Sequence, residues 1–368
     1  MSESHKSIPK WAIGLAIGGG IAFLSYAYSQ TSALKRKRHY QVLLSRDLAS
    51  DQKIIGMVKD CEPNSLEITD APSQLKQITF PLALKDFFAS DCLPLLQALS
   101  KNVDLFVLCE ECGSTQIEIE KYRGLNTRRH INSLVVTLNQ TQGKGRRANK
   151  WVSIPGNIYM TLSYNYISAV LPLKFSMILL TSIVKILRDL LPNQRVMIKW
   201  PNDVYLNDNK ICGILCESVQ VPEDATIQYC KSGIGINIES GNGFKGIREL
   251  AGLDKTKNLR PQLIYSIVNE FFENLYQCEA ESKFNELLKT TFEYFLISNS
   301  KLNIKNAETG ATEVLNICGI DETTLYPIGV ANDGQKYLVF PADLHLTDGC
   351  EARIKKLAVK EQTEDIGF

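Results

Sequence analysis

The stretch IKWPNDVYLNDNKICGILCES, from Ile198 to Ser218, leaves the chain few options. It reads as a strand, a tight turn at Pro201-Asn202-Asp203, a second strand, a polar turn at Asn207-Asp208-Asn209, and a third strand entered through Lys210. Pro201 has no N–H for a central ladder, and Asn-Asp favours a turn that aims side chains into a site. Around this meander, VDLFVL, INSLVVTL, NIYMTLSYNY and RVMIKW are further β-rich runs. FSMILLTSIVKILRDLL and PQLIYSIVNEFFENLYQC carry helical apolar periodicity instead. Together they predict a mixed α+β domain over 105–298. After Asn299 only short strands remain, KLNIKN, TEVLNICGI, LYPIGVAN and KYLVFPADLHL, separated by turn residues such as Asn332-Asp333-Gly334. They predict a small β-barrel over 299–358, with 359–368 as a tail.

The N-terminal third reads differently. Trp11 to Ser29, WAIGLAIGGGIAFLSYAYS, is uncharged and mostly apolar, and as a helix it nearly spans a bilayer core of roughly 30 Å. Lys6 and Lys10 precede it and KRKR, Lys35 to Arg38, follows it. The expectation is a single-pass transmembrane anchor at about 11–29 within a segment 1–38. The heavier charge on its C-terminal side places the bulk of the chain that follows in the cytosol. Gly14 and Gly18 add a GxxxG, a weak dimerisation signal. Residues 39–104 read as an accessory region. KIIGMVKDC and SLEIT look like strands, and a helical run is interrupted at Pro94. No basic recognition helix of a helix-turn-helix is visible.

Composition narrows the chemistry. The formal net charge of +1 argues against a general nucleic-acid binder. Ten cysteines at irregular spacing read as free thiols, and the lone CxxC, Cys109 to Cys112, has no second pair to complete a zinc site. With four histidines in the whole chain, Lys, Arg, Asp and backbone amides are left to carry the reaction.

Three elements fit that description. In QTQGKGRRANKW a strand runs into Gln140, then into Gly143-Lys144-Gly145-Arg146-Arg147, where glycines admit an anion and the cations neutralise it. It is not a Walker A loop, and on its own it reads equally as a nucleic-acid patch. Lys210 follows the polar turn and is succeeded by small Cys212-Gly213, which would let a ligand lie against the backbone. In SGIGINIES the alternate glycines Gly233 and Gly235 weaken a strand unless something packs closely on it; they read either as a β-bulge or as a slot for a flat ring or ligand chain.

GSTQ, QTQGKGRRANKW, KWPNDVYL…KICGIL and GIGIN, in this order and spacing, resemble the biotin protein ligases, or holocarboxylase synthetases. The resemblance runs from about Leu105 to Leu346. It implies a class II synthetase-like catalytic domain, a mixed sheet with flanking helices, followed by an SH3-like barrel. It implies that Ser114, Thr115, Gln116 and Gln140 contact the biotin ring. Gly143, Lys144, Gly145, Arg146 and Arg147 match the loop that closes over biotin and the adenylate. Trp151 matches an aromatic near the adenine. Asn202 and Asp203 match the turn near the acceptor lysine, with Asn202 also toward the adenylate. Lys210 matches the lysine that meets the biotin carboxylate and α-phosphate. Gly213, Gly233, Gly235 and Asn237 match strands that flank biotin and the adenine.

By the same resemblance Lys210, Arg146 and Asp203 carry the catalysis. ATP, Mg²⁺ and biotin are the reactants, with Mg²⁺ held by ATP rather than by fixed protein ligands. Biotinyl domains of carboxylases supply the acceptor lysine. Nucleic acid is not a partner, and edge strands leave a homodimer open. Three positions depart from the pattern: Lys144 stands where arginine is usual, Ala148 where glycine is frequent, and Asn149 where some members carry arginine. A lipoate-type acyl ligase and a biotin-responsive DNA-binding regulator are the alternatives. The first carries a different glycine-rich signature, and the second needs a winged helix not seen here.

Overall fold

A computed structural model describes residues 101–124, 131–167, 172–221, 224–278, 281–342 and 346–357, three helical positions at 95 and 98–99, and the backbone of three strands before residue 46. Those first strands are β1 (Leu15–Ala16), β2 (Ile21–Tyr28) and β3 (Arg38–Ser45). The expected transmembrane helix is therefore corrected. Ile21–Tyr28 is a strand, paired antiparallel with Arg38–Ser45 from Ile21↔Ser45 to Tyr28↔Arg38. Among the described residues no helix is long and apolar enough to cross a membrane. The physical reason lies in the composition that made the segment look like a span. Gly18, Gly19 and Gly20 each disfavour helix by about 1 kcal/mol relative to alanine, and IAFLSYAY is rich in aromatic and β-branched side chains that favour a strand. The membrane contact and the charge-based placement of the catalytic part in the cytosol fall with the helix. KIIGMVKDC and SLEIT lie outside the described residues.

The main sheet has ten strands in the order β1-β2-β3-β4-β5-β6-β10-β9-β8-β7. It is mixed: β4 (Leu105–Cys112) and β5 (Ser133–Gln140) run parallel, with the short helix α1 (Thr115–Glu118) between them, and the other neighbours are antiparallel. The helix α2 (Pro172–Leu190) follows β6 (Ile158–Ile167). The meander read from the sequence is present as β7 (Val196–Lys199), β8 (Asp203–Leu206) and β9 (Asn209–Val221). Its second turn is closed by Asn207 at φ 53°, a conformation that asparagine tolerates better than most residues. The long hairpin β9–β10 (Asp224–Ile236) forms the centre of the site. The outer edge of β7 is covered: Ile198 exchanges backbone hydrogen bonds with Tyr294 and Leu296.

One face of this sheet is buried under α2, α4 (Arg260–Gln277) and α5 (Glu281–Glu293); the five-residue α3 (Ile247–Ala251) precedes α4. Tyr164 of β6 marks the contact, with ring centroids 5.3 Å from Phe175 of α2 and 5.2 Å from Phe271 of α4. Because side chains alternate along a strand, Cys212, Ile214 and Cys216 of β9 join this core while Gly213, Leu215 and Glu217 face the other way. That opposite face carries the site.

The last strands, β11 (Lys301–Asn306), β12 (Thr312–Ile320), β13 (Pro327–Val330), β14 (Lys336–Pro341) and β15 (Glu351–Lys356), close into a barrel. The mixed sheet with helices and a terminal barrel is the fold class that the sequence predicts. The barrel also touches the site. Trp200, buried just before the Pro-Asn-Asp turn, donates from Nε1 to the Leu325 carbonyl at 3.3 Å and packs 5.3 Å from the Tyr326 ring. Arg147 donates to the Ala342 carbonyl at 3.1 Å.

Candidate active site

The floor of the site is the β9–β10 pair. Lys231↔Glu217, Gly233↔Leu215 and Gly235↔Gly213 are opposite neighbours, so the floor grades from a charged end to a bare glycine end. A cavity of about 170 Å³ lies above it.

At the glycine end the flat ring expected there belongs to the protein itself. The indole of Trp151 lies on Gly213 and Gly235. A Cβ on Gly235 would stand 2.5 Å from Trp151 Cε2, and one on Gly213 2.6 Å from Cζ3. Any side chain at either position would expel the ring. The indole Nε1 is buried and finds no hydrogen-bond partner among the described residues.

The basic loop is a closed hairpin rather than a loose strap. Trp151 N donates to Gly143 O at 2.9 Å, Gly145 N to Asn149 O at 2.7 Å, and Asn149 N to Arg146 O at 3.0 Å. Gly143 is required there, because a Cβ would meet the Trp151 carbonyl at 2.5 Å. The hairpin reverses at Arg147, which sits in the left-handed region at φ 51° and ψ 44°.

Charge converges from the loop and the meander. Arg146 Nη1 donates to Asn202 Oδ1 at 2.7 Å, and Asn202 is locked to β9 by bonds in both directions with Ile214. Burial pushes the Arg146 guanidinium below its usual range, the nearby charge of Asp203 opposes that, and Arg147 reinforces it. Lys210 Nζ pairs with Asp203 Oδ2 at 2.7 Å and lies 5.6 Å from the centre of the Trp151 ring. Asp203 is 4% exposed, and its Oδ1 is buried with no hydrogen-bond partner among the described residues. Of the cations that line the cavity, Arg146 is tethered by an amide and Lys210 by a carboxylate. The arrangement can accept an anion at the Arg146–Lys210 gap and release Asp203 in doing so.

The opposite end is a hydrogen-bond relay. Gln140 Oε1 accepts from the Thr115 amide at 2.9 Å, and Thr161 Oγ1 donates to Thr115 Oγ1 at 2.9 Å and Gln116 Oε1 at 3.1 Å. Gln116 Nε2 donates to Glu217 Oε2 at 2.9 Å and Leu215 O at 3.3 Å. Thr161, Glu217 and Lys231 escape the sequence reading. Lys231 and Glu217 were findable, because each falls two residues from a floor position on its own strand.

The structure brings Ser114, Thr115, Gln116, Gln140, Lys144 and Gly145 to the wall of this one cavity. Arg146, Arg147, Trp151, Asn202, Asp203 and Lys210 also line it, over Gly213, Gly233 and Gly235, with Asn149 and Lys150 from the hairpin beside them. Two expected residues stand apart. Gly143 lines an adjoining recess of about 890 Å³ outside the loop. Asn237 is buried beyond the cavity, its Oδ1 accepting from Asn157 at 3.5 Å and its amide bonded to Ile211 O at 2.7 Å. Cys109 and Cys112 are buried free thiols, and Cys109 donates to the Val136 carbonyl at 3.4 Å. Among the described residues no group of three His, Cys, Asp or Glu is placed to hold a metal ion.

A mixed sheet roofed by a basic hairpin, with cations at one end and amides and hydroxyls at the other, defines a cleft for an anionic ligand with a polar, uncharged head. Residues 114–237 match the model of the Biotin/lipoate A/B protein ligase family. The chain is 25% identical over 222 residues to biotin–protein ligase 1, chloroplastic, of Arabidopsis thaliana, covering 57% of this chain and 59% of that protein. It is 23% identical over 273 residues to the biotin–protein ligase of Homo sapiens, covering 66% of this chain and 36% of that one. The matches thus span less than two thirds of these relatives. Among solved structures it is similar to the biotin protein ligase of Aquifex aeolicus in complex with biotin and ATP, at 21% identity and a TM-score of 0.47, covering 68% of this chain and 99% of that chain.

Proposed function

We propose that this chain is a biotin protein ligase. It joins biotin to ATP as biotinyl-5′-AMP with release of pyrophosphate, then passes the biotinyl group to a lysine on a biotinyl domain of a carboxylase. The observation that carries the reading is the meeting of Arg146, Lys210, Asn202 and Asp203 with Ser114–Gln116 and Gln140 around one cavity.

A carboxylate must approach the α-phosphate of ATP, and the two anions repel. Arg146, half-buried and oriented by Asn202, and Lys210 offset that repulsion where solvent screening is weak. The carboxylate oxygen bonds to phosphorus as the bond to pyrophosphate breaks. When Lys210 turns to the new anion it leaves Asp203, whose Oδ1 is already unpartnered. That carboxylate then orients the ammonium of the acceptor lysine and takes its proton before the amine attacks the biotinyl carbonyl and AMP departs. The basic hairpin shields the mixed anhydride from water in the interval. Among the described residues no three His, Cys, Asp or Glu side chains gather to hold a metal, and Mg²⁺ would enter on the phosphates of ATP and supply charge neutralisation there.

Biotin-dependent pyrophosphate release from the full chain tests this. A burst with biotin and ATP that becomes sustained on adding a biotinyl domain is the expected result. Release with lipoate but not biotin overturns the substrate, and release with no acid overturns the activity.

A further inference from the structure

Lys231 is absent from every role assigned above, yet it is the most enclosed cation at the ring end of the cavity. Its side chain is 15% exposed, and its Nζ lies 2.6 Å from Glu120 Oε1 and 3.1 Å from Glu217 Oε2. The third acceptor is the backbone carbonyl of Gln116, at 3.5 Å. An ammonium carries three protons, and here each has an acceptor. The three acceptors come from different elements: Glu217 from β9, opposite Lys231 in register, Gln116 from α1, and Glu120 from the 3₁₀ turn after it.

The consequence falls on Gln116. Lys231 holds its main chain directly and its side chain through Glu217, which accepts from Gln116 Nε2 at 2.9 Å. The Leu215 carbonyl accepts from the same nitrogen, and Thr161 donates to Oε1. A free carboxamide can turn end for end, but here charge and a main-chain acceptor settle which end is the donor. The bare face of Gly233 lets the carboxamide lie on the floor, since a Cβ there would meet Gln116 Oε1 at 2.8 Å. A ligand at this end therefore meets an amide of one orientation.

We propose that Lys231, acting through Glu217, is a positioning residue that sets the orientation of the Gln116 carboxamide and so governs affinity for the ring of the acid substrate and not for the nucleotide. This rests on the reading of the site as a biotin site. Glu120 ties Lys231 to the 3₁₀ turn without touching Gln116's side chain, so it anchors the device without reading the ligand.

The test is calorimetric binding of biotin and, separately, of ATP to the full chain and to Lys231→Met, Lys231→Arg, Glu217→Gln and Glu120→Gln. Lys231→Met is expected to weaken biotin at least about tenfold, in the range typical of losing a charge-assisted bond, with ATP affinity within twofold. Lys231→Arg is expected to restore most of the biotin affinity. Glu217→Gln, at a half-exposed position that tolerates change, is expected to repeat the split, and Glu120→Gln to show it weakly. Biotin binding within twofold of the parent in both Lys231→Met and Glu217→Gln overturns the inference. Equal loss of biotin and ATP overturns it as well, because that marks general loosening. A parent protein that binds ATP but no biotin fails the functional reading itself, and the inference falls with it.

Discussion

Gly235→Ala is the sharpest probe of the glycine end. The new methyl would stand 2.5 Å from Trp151 Cε2, 2.6 Å from Cζ2 and 2.8 Å from Nε1, all closer than nonbonded carbon tolerates. The obstacle is a rigid ring met broadside, so no flexible tip can move aside. The Trp151 main chain is pinned to Gly143, so the side chain must rotate off the shelf. An aromatic side chain buries about 150–250 Å², and this one is only partly covered. Re-exposing roughly 100 Å² at about 25 cal/mol per Å² comes to about 2.5 kcal/mol, and the methyl recovers a part of that. The expected loss is about 1–2 kcal/mol in urea unfolding. Emission should shift to the red at the same time. In a Trp11→Phe background, Trp200 is 2% exposed and contributes an unchanged blue component, so the shift reports Trp151. Unchanged emission together with unchanged stability would refute the claim that the indole occupies the shelf.

Three further outcomes follow from the charges. Lys210→Ala should slow both adenylate formation and biotin transfer by about 10²–10³ in single-turnover assays, since it removes a cation of the site and strands a buried carboxylate; an unchanged rate in both steps removes Lys210 from the chemistry. Arg146→Gly should let biotinyl-AMP escape, and trapping the adenylate on a filter should show dissociation at least about tenfold faster, because the link from the hairpin to Asn202 is gone. Glu217 is the acid-sensitive carboxylate beside the site: burial raises its pKa, but bonds from Gln116 and Lys231 and the charges of Lys231 and Lys144 outweigh that and hold it below its ordinary 4.5. A depressed folded-state pKa gives stability that is present above 4.5 and lost as pH falls through the lower folded value, so Glu217→Gln should flatten the acid limb of the melting-temperature profile below about pH 4.5.

The parts of the fold that were legible were those where periodicity and punctuation agree. Asn207-Asp208 closes a hairpin because asparagine accepts a positive φ, and alternation in KLNIKN matches the buried–exposed rhythm of β11. The N-terminal strand was misread because hydropathy alone does not separate an apolar helix from an apolar strand, and the pairing of Ile21–Tyr28 with Arg38–Ser45 lies across a connection. The cluster of Arg146, Asn202 and Lys210 was legible from motif order. Its tethers were not: the Thr161 hydroxyl that orders Thr115 and Gln116 comes from β6, a strand whose text says only that it is a strand. Asn237 was drawn into the site by its neighbours in GIGIN, but the side chain faces Asn157 beyond the floor.

The departures in the hairpin can be weighed from the same geometry. Where the family resemblance leads one to expect glycine at 148, a stiffer loop follows only if that residue needs a positive φ. The residue recorded in the left-handed region of this turn is Arg147, one position earlier. Strain rests on Arg147 instead, at roughly 1–2 kcal/mol for a non-glycine residue in that region. Its bond to Ala342 O offsets some of this and hooks the hairpin to the barrel. Lys144 in place of arginine loses a bidentate fork, yet its charge lies close enough to Glu217 to help hold that carboxylate ionised. The lysine therefore acts at both ends of the site at once. It adds positive charge to the roof, and it stabilises the anion that holds Gln116.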